Sequence, residues 1–259
     1  MSTMRVATIV PISQLDLIEE QDYHLCLAHL APKSKSYREF YTRQSQKPGS
    51  YVILDNGAAE GASQPIEFLV EAALQIGAHE LVLPDVLFDA AATLRSSYTA
   101  LSYISSQNMD TLNTMVVPQG RTLQEWYRCA EVMMGWPVTC IGISKFLSTK
   151  EGYVARLRAR GFLEKEWLQE KPHRPRKQVH LLGCNSHVGE TLMVASKYSV
   201  RGTDSAIAYI FTKAGVSLGL HTSRPKEEID FFEAEGAVDD TLLRANIRLW
   251  TEAFDQWSA

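Results

Sequence analysis

The sequence predicts an α/β protein, and three observations carry that expectation. Short apolar or β-branched runs, each ending in a polar or glycine-containing turn, recur along the chain with helical patterns between them, which marks repeated βα units. The length of 259 residues suits one barrel of about 250 residues as a single domain. No G-x-G-x-x-G follows the first apolar run, which counts against a dinucleotide-binding or P-loop sheet. The alternation itself fits either a closed barrel or an open doubly wound sheet, and composition does not separate the two.

Taken in order, strands are expected over residues 6–11, 25–30, 51–55, 80–84, 114–118, 139–144, 179–183, 202–206 and 215–220. That is one more than an eight-stranded ring holds. The first is placed outside the ring or across its floor, although nothing in the sequence chooses which of them is surplus. Helices with one apolar face are expected over residues 65–76, 90–105, 123–134, 153–160, 189–198 and 240–257. Two basic segments interrupt the pattern. Residues 33–47 carry Lys33, Lys35, Arg38 and Arg43 interleaved with Tyr37, Phe40 and Tyr41, a composition for phosphate contact plus base stacking, or equally for a helix with its aromatic stripe on the core. Residues 171–177 form a proline-stiffened basic loop with Arg174, Arg176 and Lys177, read either as a solvated connector or, from its expected place beside the site, as a nucleic-acid contact.

Composition excludes several classes. No apolar run approaches the ~20 residues of a membrane span, and no small-residue cleavage site follows the N-terminal run, so a soluble, cytoplasmic protein is expected, in the host cytoplasm if the gene is a phage's. Cys26, Cys129, Cys140 and Cys184 are scattered and lack C-x2-C spacing, so they read as buried thiols and no metal or other cofactor is expected. A net charge of -4 gives no global attraction to polyanions, so a nucleic-acid partner has to be met by local basic surface.

In a barrel the C-terminal ends of the strands converge on one face, so polar residues that end apolar runs are the ones to collect. Asp55 in Y-V-I-L-D-N-G, Asp85 in L-V-L-P-D-V and Asp204 in R-G-T-D-S all do so. Each alone could be a helix cap; three from three strands point to chemistry. Other strand ends carry Gln119-Gly120, Gly142 with Ser144, and Gly183, small or amide residues that let a flat heterocycle approach the backbone. His180 opens an apolar strand and by itself reads as a packed or structural hydrogen-bonding residue.

The order of these motifs resembles the tRNA-guanine transglycosylase superfamily. Asp55-Asn56-Gly57-Ala58, Pro84-Asp85, Val117-Pro118-Gln119-Gly120, Ile141-Gly142-Ile143-Ser144, His180-Leu181-Leu182-Gly183 and Asp204 match six family motifs in sequence. The resemblance spans roughly Tyr51 to Lys213. It implies a (β/α)8 TIM barrel and a double displacement at an anomeric carbon, with Asp204 as nucleophile and Asp55 as general acid/base. It also implies a base-binding set of Asp85, Gln119, Gly120, Gly142, Ser144, Asn56, Gly57 and His180.

The family's zinc subdomain has no counterpart, because no cysteine follows Cys184, and the segment after the nucleophile, residues 207–213, is apolar with its cation at Lys213. The compact, zinc-free form is similar to the DNA-modifying branch of phages and bacterial modification islands. DNA is therefore the expected partner ahead of tRNA, together with a free 7-deazaguanine such as the nitrile-bearing preQ0. Alternatives are the same exchange on tRNA, a hydrolytic DNA glycosylase, or a non-catalytic binding subunit. A homodimer or an accessory protein is left open.

Overall fold

A computed structural model of the chain describes residues 4–109, 111–170, 176–184, 188–219, 225 and 238–255. Its described strands are β1 (Arg5–Thr8), β2 (Tyr23–Leu27), β3 (Tyr51–Asp55), β4 (Glu80–Val82), β5 (Asn113–Val116), β6 (Cys140–Ser144), β7 (Gln178–Leu182) and β8 (Gly202–Ser205). All pair in parallel in the order β1-β8-β7-β6-β5-β4-β3-β2. β1 and β2 lie side by side and bring the ring round on itself. Side chains bridge that seam: Gln21 Nε2 donates to Thr8 Oγ1 at 2.8 Å, and Arg5 Nη2 donates to the Asp22 carbonyl at 2.5 Å. Such a parallel ring with helices outside it is the (β/α)8 barrel.

The connecting helices are α1 (Lys35–Gln46), α2 (Ile66–Ile76), α3 (Ala90–Ser106), α4 (Leu123–Met133), α5 (Lys145–Glu151), α6 (Ala155–Lys165), α7 (Val188–Lys197), α8 (Ile207–Lys213) and α9 (Asp240–Asp255). Local signals set their starts. Ser34, Asp89 and Thr122 accept backbone N–H groups at the heads of α1, α3 and α4, and Gly77 ends α2 in the left-handed conformation. No described helix is long and apolar enough to cross a membrane.

Three sequence expectations are corrected. β1 is a member of the ring, pairing with β8 through Arg5 and Gly202 to Thr8 and Ser205. The surplus candidate is 215–220, whose described residues form no strand: Leu218 is buried and its N–H is taken by Asn246 Oδ1 of α9 at 2.7 Å. The apolar segment after Asp204 forms the helix α8, most of it buried. In α1, Tyr37, Phe40 and Tyr41 lie on the core at 2–3% exposure, so the aromatic stripe packs and offers no stacking surface.

Candidate functional site

At the C-terminal ends of the strands the barrel opens into a cavity of about 480 Å³. Its polar lining comes from successive strand ends: Asp55 and Asn56 after β3, Asp85 beyond β4, Gln119 beyond β5, Ser144 and Lys145 at β6, and Asp204 on β8. Leu25, Leu27, Val82, Val117, Leu182 and Ile207 supply apolar walls. The three aspartates collected from the sequence therefore face one space.

Asp204 is held from below and from the side. Its Oδ1 lies 2.9 Å from His180 Nε2 and accepts the Gly183 N–H at 3.1 Å, while Oδ2 takes neither bond. Gly183 sits at φ 70°, a left-handed turn that suits glycine, and a Cβ there would meet the Lys145 side chain at 2.6 Å. Its carbonyl accepts from Arg156 Nη1 at 2.7 Å, and Arg156 is itself fully buried against Glu190. The turn that supports Asp204 is thus fixed by an ion pair outside the barrel. His180 is fully buried, donates to or accepts from Tyr23 Oη through Nδ1 at 2.9 Å, and burial lowers its pKa.

Asp85 lies between two amides. Asn56 Nδ2 donates to its Oδ1 at 2.8 Å and Gln119 Nε2 to its Oδ2 at 2.6 Å. Asn56 has no freedom to turn, because it also donates to the Leu83 carbonyl at 2.7 Å and accepts the Ala58 N–H at 2.7 Å. Burial pushes the Asp85 carboxyl up to about 6, even though both amides favour its charged form. Asp55 accepts the Gly57 N–H at 2.9 Å, with Gly57 at φ 78° making the turn. Its carboxyl is raised well above the ordinary range, first by burial, then by the negative charge of Glu60, with Asp204 and Asp85 adding to it.

Glu60, Lys145 and His29 also line the cavity and were not singled out from the sequence. The Glu60 side chain is exposed at the cavity, and partial desolvation there raises its carboxyl against the opposing effects of its own backbone N–H and the charge of Lys145. Lys145 was visible in principle, as the residue directly after the β6 motif; Glu60 follows the Asp55 turn by one short helical turn, a placement that periodicity does not reveal. Ser144 lines the cavity while its Oγ caps α5 by accepting the Phe146 N–H.

Several expected site residues lie elsewhere. His180 supports Asp204 under the cavity rather than touching a ligand. A Cβ on Gly142 would sit 2.7 Å from Leu182 Cδ1 and 3.0 Å from Met115 Sδ, so that glycine makes room for interior packing. Gly120 makes room for the head of α4, 2.6 Å from the Trp126 backbone nitrogen, and Gly57 serves the turn; none of the three lines the cavity.

The basic residues divide. Lys33, in the loop after β2, lines the cavity. Lys35 pairs with Glu39 and Arg38 donates to the Ala31 carbonyl, both on α1 outside the cavity, where Arg43 also lies. Lys213 is exposed at the far end of α8 and does not line the cavity. Arg176 and Lys177 precede β7 and so sit at the opposite end of the barrel from the cavity. There Lys177 Nζ donates to the carbonyls of Trp136 and Val138, and Arg176 pairs with Glu164. Arg174 lies outside the described residues. The four cysteines are buried and none is in a disulfide, and the described residues contain no cluster of three or more metal-ligating side chains.

An eight-stranded parallel α/β barrel with an acidic cavity at its C-terminal face defines the class. No protein-family model matches the sequence, and no curated protein matches it. Among solved structures the chain is similar to an HpcH/HpaI aldolase from Desulfitobacterium hafniense, with a TM-score of 0.53 and 11% identity over 82% of this chain and 90% of that one. It is similar also to an HpcH/HpaI aldolase/citrate lyase family protein from Burkholderia cenocepacia, with a TM-score of 0.51 and 14% identity over 83% and 92%. At such identity the likeness is one of fold, and the site carries the functional argument.

Proposed function

We propose that the chain is a base-exchange transglycosylase that replaces guanine by a 7-deazaguanine in a nucleic acid, with DNA as the favoured acceptor. The observation that carries this reading is the unlike pair of carboxyls in one cavity. Asp204 is held through Oδ1 by His180 Nε2 and the Gly183 N–H, while burial raises the Asp55 carboxyl so that it keeps its proton to higher pH. Double displacement at an anomeric carbon needs a nucleophile and an acid of this kind.

In the first step Asp204 Oδ2 attacks C1', the C1'–N9 bond breaks with its electron pair going to guanine, and Asp55 gives its proton to the departing base. In the second, the incoming 7-deazaguanine gives its proton to the Asp55 carboxylate, its nitrogen attacks C1', and Asp204 leaves with the electron pair of the ester bond. Protons and charge balance over the cycle, and no oxidant or cofactor is required.

Asp85 supports recognition of the base. A carboxylate offers about four lone-pair sites. Two are occupied by Asn56 and Gln119, so each oxygen can accept one more donor, which matches the N1–H and 2-amino group of guanine and of 7-deazaguanine alike. In a ring of eight, β4 stands opposite β8, so a base on Asp85 with its sugar at Asp204 spans the cavity. β2 stands opposite β6, and both Lys145, directly after β6, and Lys33, in the loop beyond β2, line the cavity. Phosphates on either side of the extruded nucleotide would meet them.

The test is incubation with labelled guanine or 7-cyano-7-deazaguanine and duplex DNA, single-stranded DNA or tRNA, followed by digestion to nucleosides and mass spectrometry. Label in deoxynucleosides is the expected result. Label in tRNA alone overturns the choice of acceptor, abasic sites would identify a hydrolase, and no change in any acceptor overturns the proposal.

A further inference from the structure

The floor of the barrel beneath Asp204 holds a line of buried polar groups that the proposed chemistry does not itself use. Arg201, just ahead of β8, pairs with Glu80 of β4, and its Nη1 also donates to Gln178 Oε1 at 2.9 Å. Its Nε lies 3.1 Å from Tyr23 Oη, Tyr23 Oη lies 2.9 Å from His180 Nδ1, and His180 Nε2 lies 2.9 Å from Asp204 Oδ1. Tyr23 and His180 are both at 0% exposure, out of reach of bulk solvent.

We infer that Arg201 and Tyr23 lock His180 as a neutral imidazole with its proton on Nε2, making both of them positioning residues that through His180 occupy Oδ1 of Asp204 and leave Oδ2 as the oxygen that no described residue holds. The direction of the line follows from its first member. A guanidinium has donors and no acceptor, so Arg201 must donate to the Tyr23 oxygen. The phenol proton then has one acceptor within reach, His180 Nδ1. If His180 instead carried a proton on Nδ1, as the other tautomer or as imidazolium, Tyr23 would accept from both sides and its own buried proton would be orphaned, at a cost of about 1–3 kcal/mol. With Nδ1 as acceptor, Nε2 must bear the hydrogen and donates to Asp204.

The surrounding charges agree. The ionisable groups packed around the ring are Asp204 on β8, Tyr23 on β2, Glu80 on β4, Cys140 on β6 and Arg201. Glu80 is matched by Arg201, burial raises the Tyr23 phenol and the Cys140 thiol so that both stay protonated, and burial lowers His180. His180 is therefore a fixed donor and takes no proton from Asp204 during turnover. The proton arrangement holds whatever reaction the site performs; its effect on attack by Oδ2 rests on the transglycosylase reading.

The test is a long-range ¹H–¹⁵N spectrum of the full chain labelled at histidine, with His180 assigned by its loss in His180→Gln, recorded from pH 5 to pH 9. The expected result is a protonated Nε2 and a bare Nδ1 that do not change across that range. A proton on Nδ1, or titration within the range, overturns the inference. In Tyr23→Phe the ring loses its lock, so His180 should populate both tautomers and gain a proton as pH falls. Base exchange should then show a new acidic limb and a roughly tenfold lower kcat at unchanged KM, the loss of about one supporting hydrogen bond. An unchanged pH profile and kcat in that variant would remove the catalytic role while leaving the spectrum to judge the tautomer. A wild-type protein with the expected spectrum but no base exchange would overturn the transglycosylase reading alone.

Discussion

Asp85, which lines the cavity and is proposed to hold the base, is borne by the fold at a cost, and Asp85→Asn should expose that cost. Its carboxyl is raised from 3.8 to about 6 by burial, so ionising it in the folded chain costs about 3 kcal/mol once pH exceeds both values. The sign follows from the direction. A raised folded pKa gives stability that is present below about pH 4 and lost as pH climbs through about 6. An amide at this position does not ionise and suffers no such loss.

Its hydrogen bonds can be nearly restored. Asn56, fixed by Leu83 and Ala58, still finds an oxygen to donate to, and Gln119 can turn its amide to accept from the new NH2. Turning Gln119 gives up its long bond from the Phe88 N–H at 3.3 Å, worth about 1 kcal/mol. The variant should be more stable than the wild type by about 2 kcal/mol at pH 8, or roughly 4–8 °C in Tm, and slightly less stable at pH 4. Urea denaturation of both proteins at the two pH values reads the difference, and calorimetry with free guanine should show base binding lost. A variant less stable than wild type at pH 8, or a difference independent of pH, would refute the reasoning.

Asp204→Asn keeps an oxygen for His180 and Gly183, so it should fold and bind base as the wild type does while kcat falls by about four orders of magnitude; equal loss of base binding in a calorimetric titration would take the nucleophile's role from it. Asp55→Asn retains the acceptor for the Gly57 N–H and should cut turnover without lowering Tm, and wild-type kcat should fall as pH rises through the Asp55 pKa, since the acid must hold its proton; a flat alkaline limb would exclude this role. Replacing Lys33 and Lys145 by Ala together should reduce the slope of log affinity against log salt for duplex DNA by about 2, whereas Arg176→Ala, at the opposite end of the barrel, should leave it unchanged; the reverse result would place the nucleic acid on the other face.

Much of the fold and the centre of the site were legible in the sequence, for physical reasons that also explain what was missed. Runs such as Y-V-I-L-D and L-V-L-P-D report burial followed by a polar end, and in a parallel barrel every such end points to one face. That brought Asp55, Asp85 and Asp204 together before any coordinates. Apolar pattern reports burial and not conformation, however, so residues 215–220 read as a strand although Leu218 is buried by packing beside α9, and residues 207–213 concealed α8.

The positions of Tyr37, Phe40, Tyr41 and Gln44 already follow a helical stripe, and all four are buried. Chain order likewise settles Arg176 and Lys177: they directly precede β7, so they belong to the end of the barrel away from the cavity. What no periodicity carries is the network among side chains distant in sequence. Tyr23 and His180 stand 157 positions apart and Arg201 and Glu80 stand 121 apart, and only closure of the ring brings them into one line under Asp204.

The central claim is covalent attack by Asp204, and the direct measurement is to trap the adduct. Wild-type protein is incubated with the nucleic acid that accepts label, quenched in denaturant, digested with protease and nuclease, and the peptides are weighed. A sugar-phosphate remnant is expected on the peptide containing Asp204, absent from Asp204→Asn and discharged when 7-cyano-7-deazaguanine is added before the quench. An adduct on another residue, or abasic nucleic acid with no adduct at all, would contradict it.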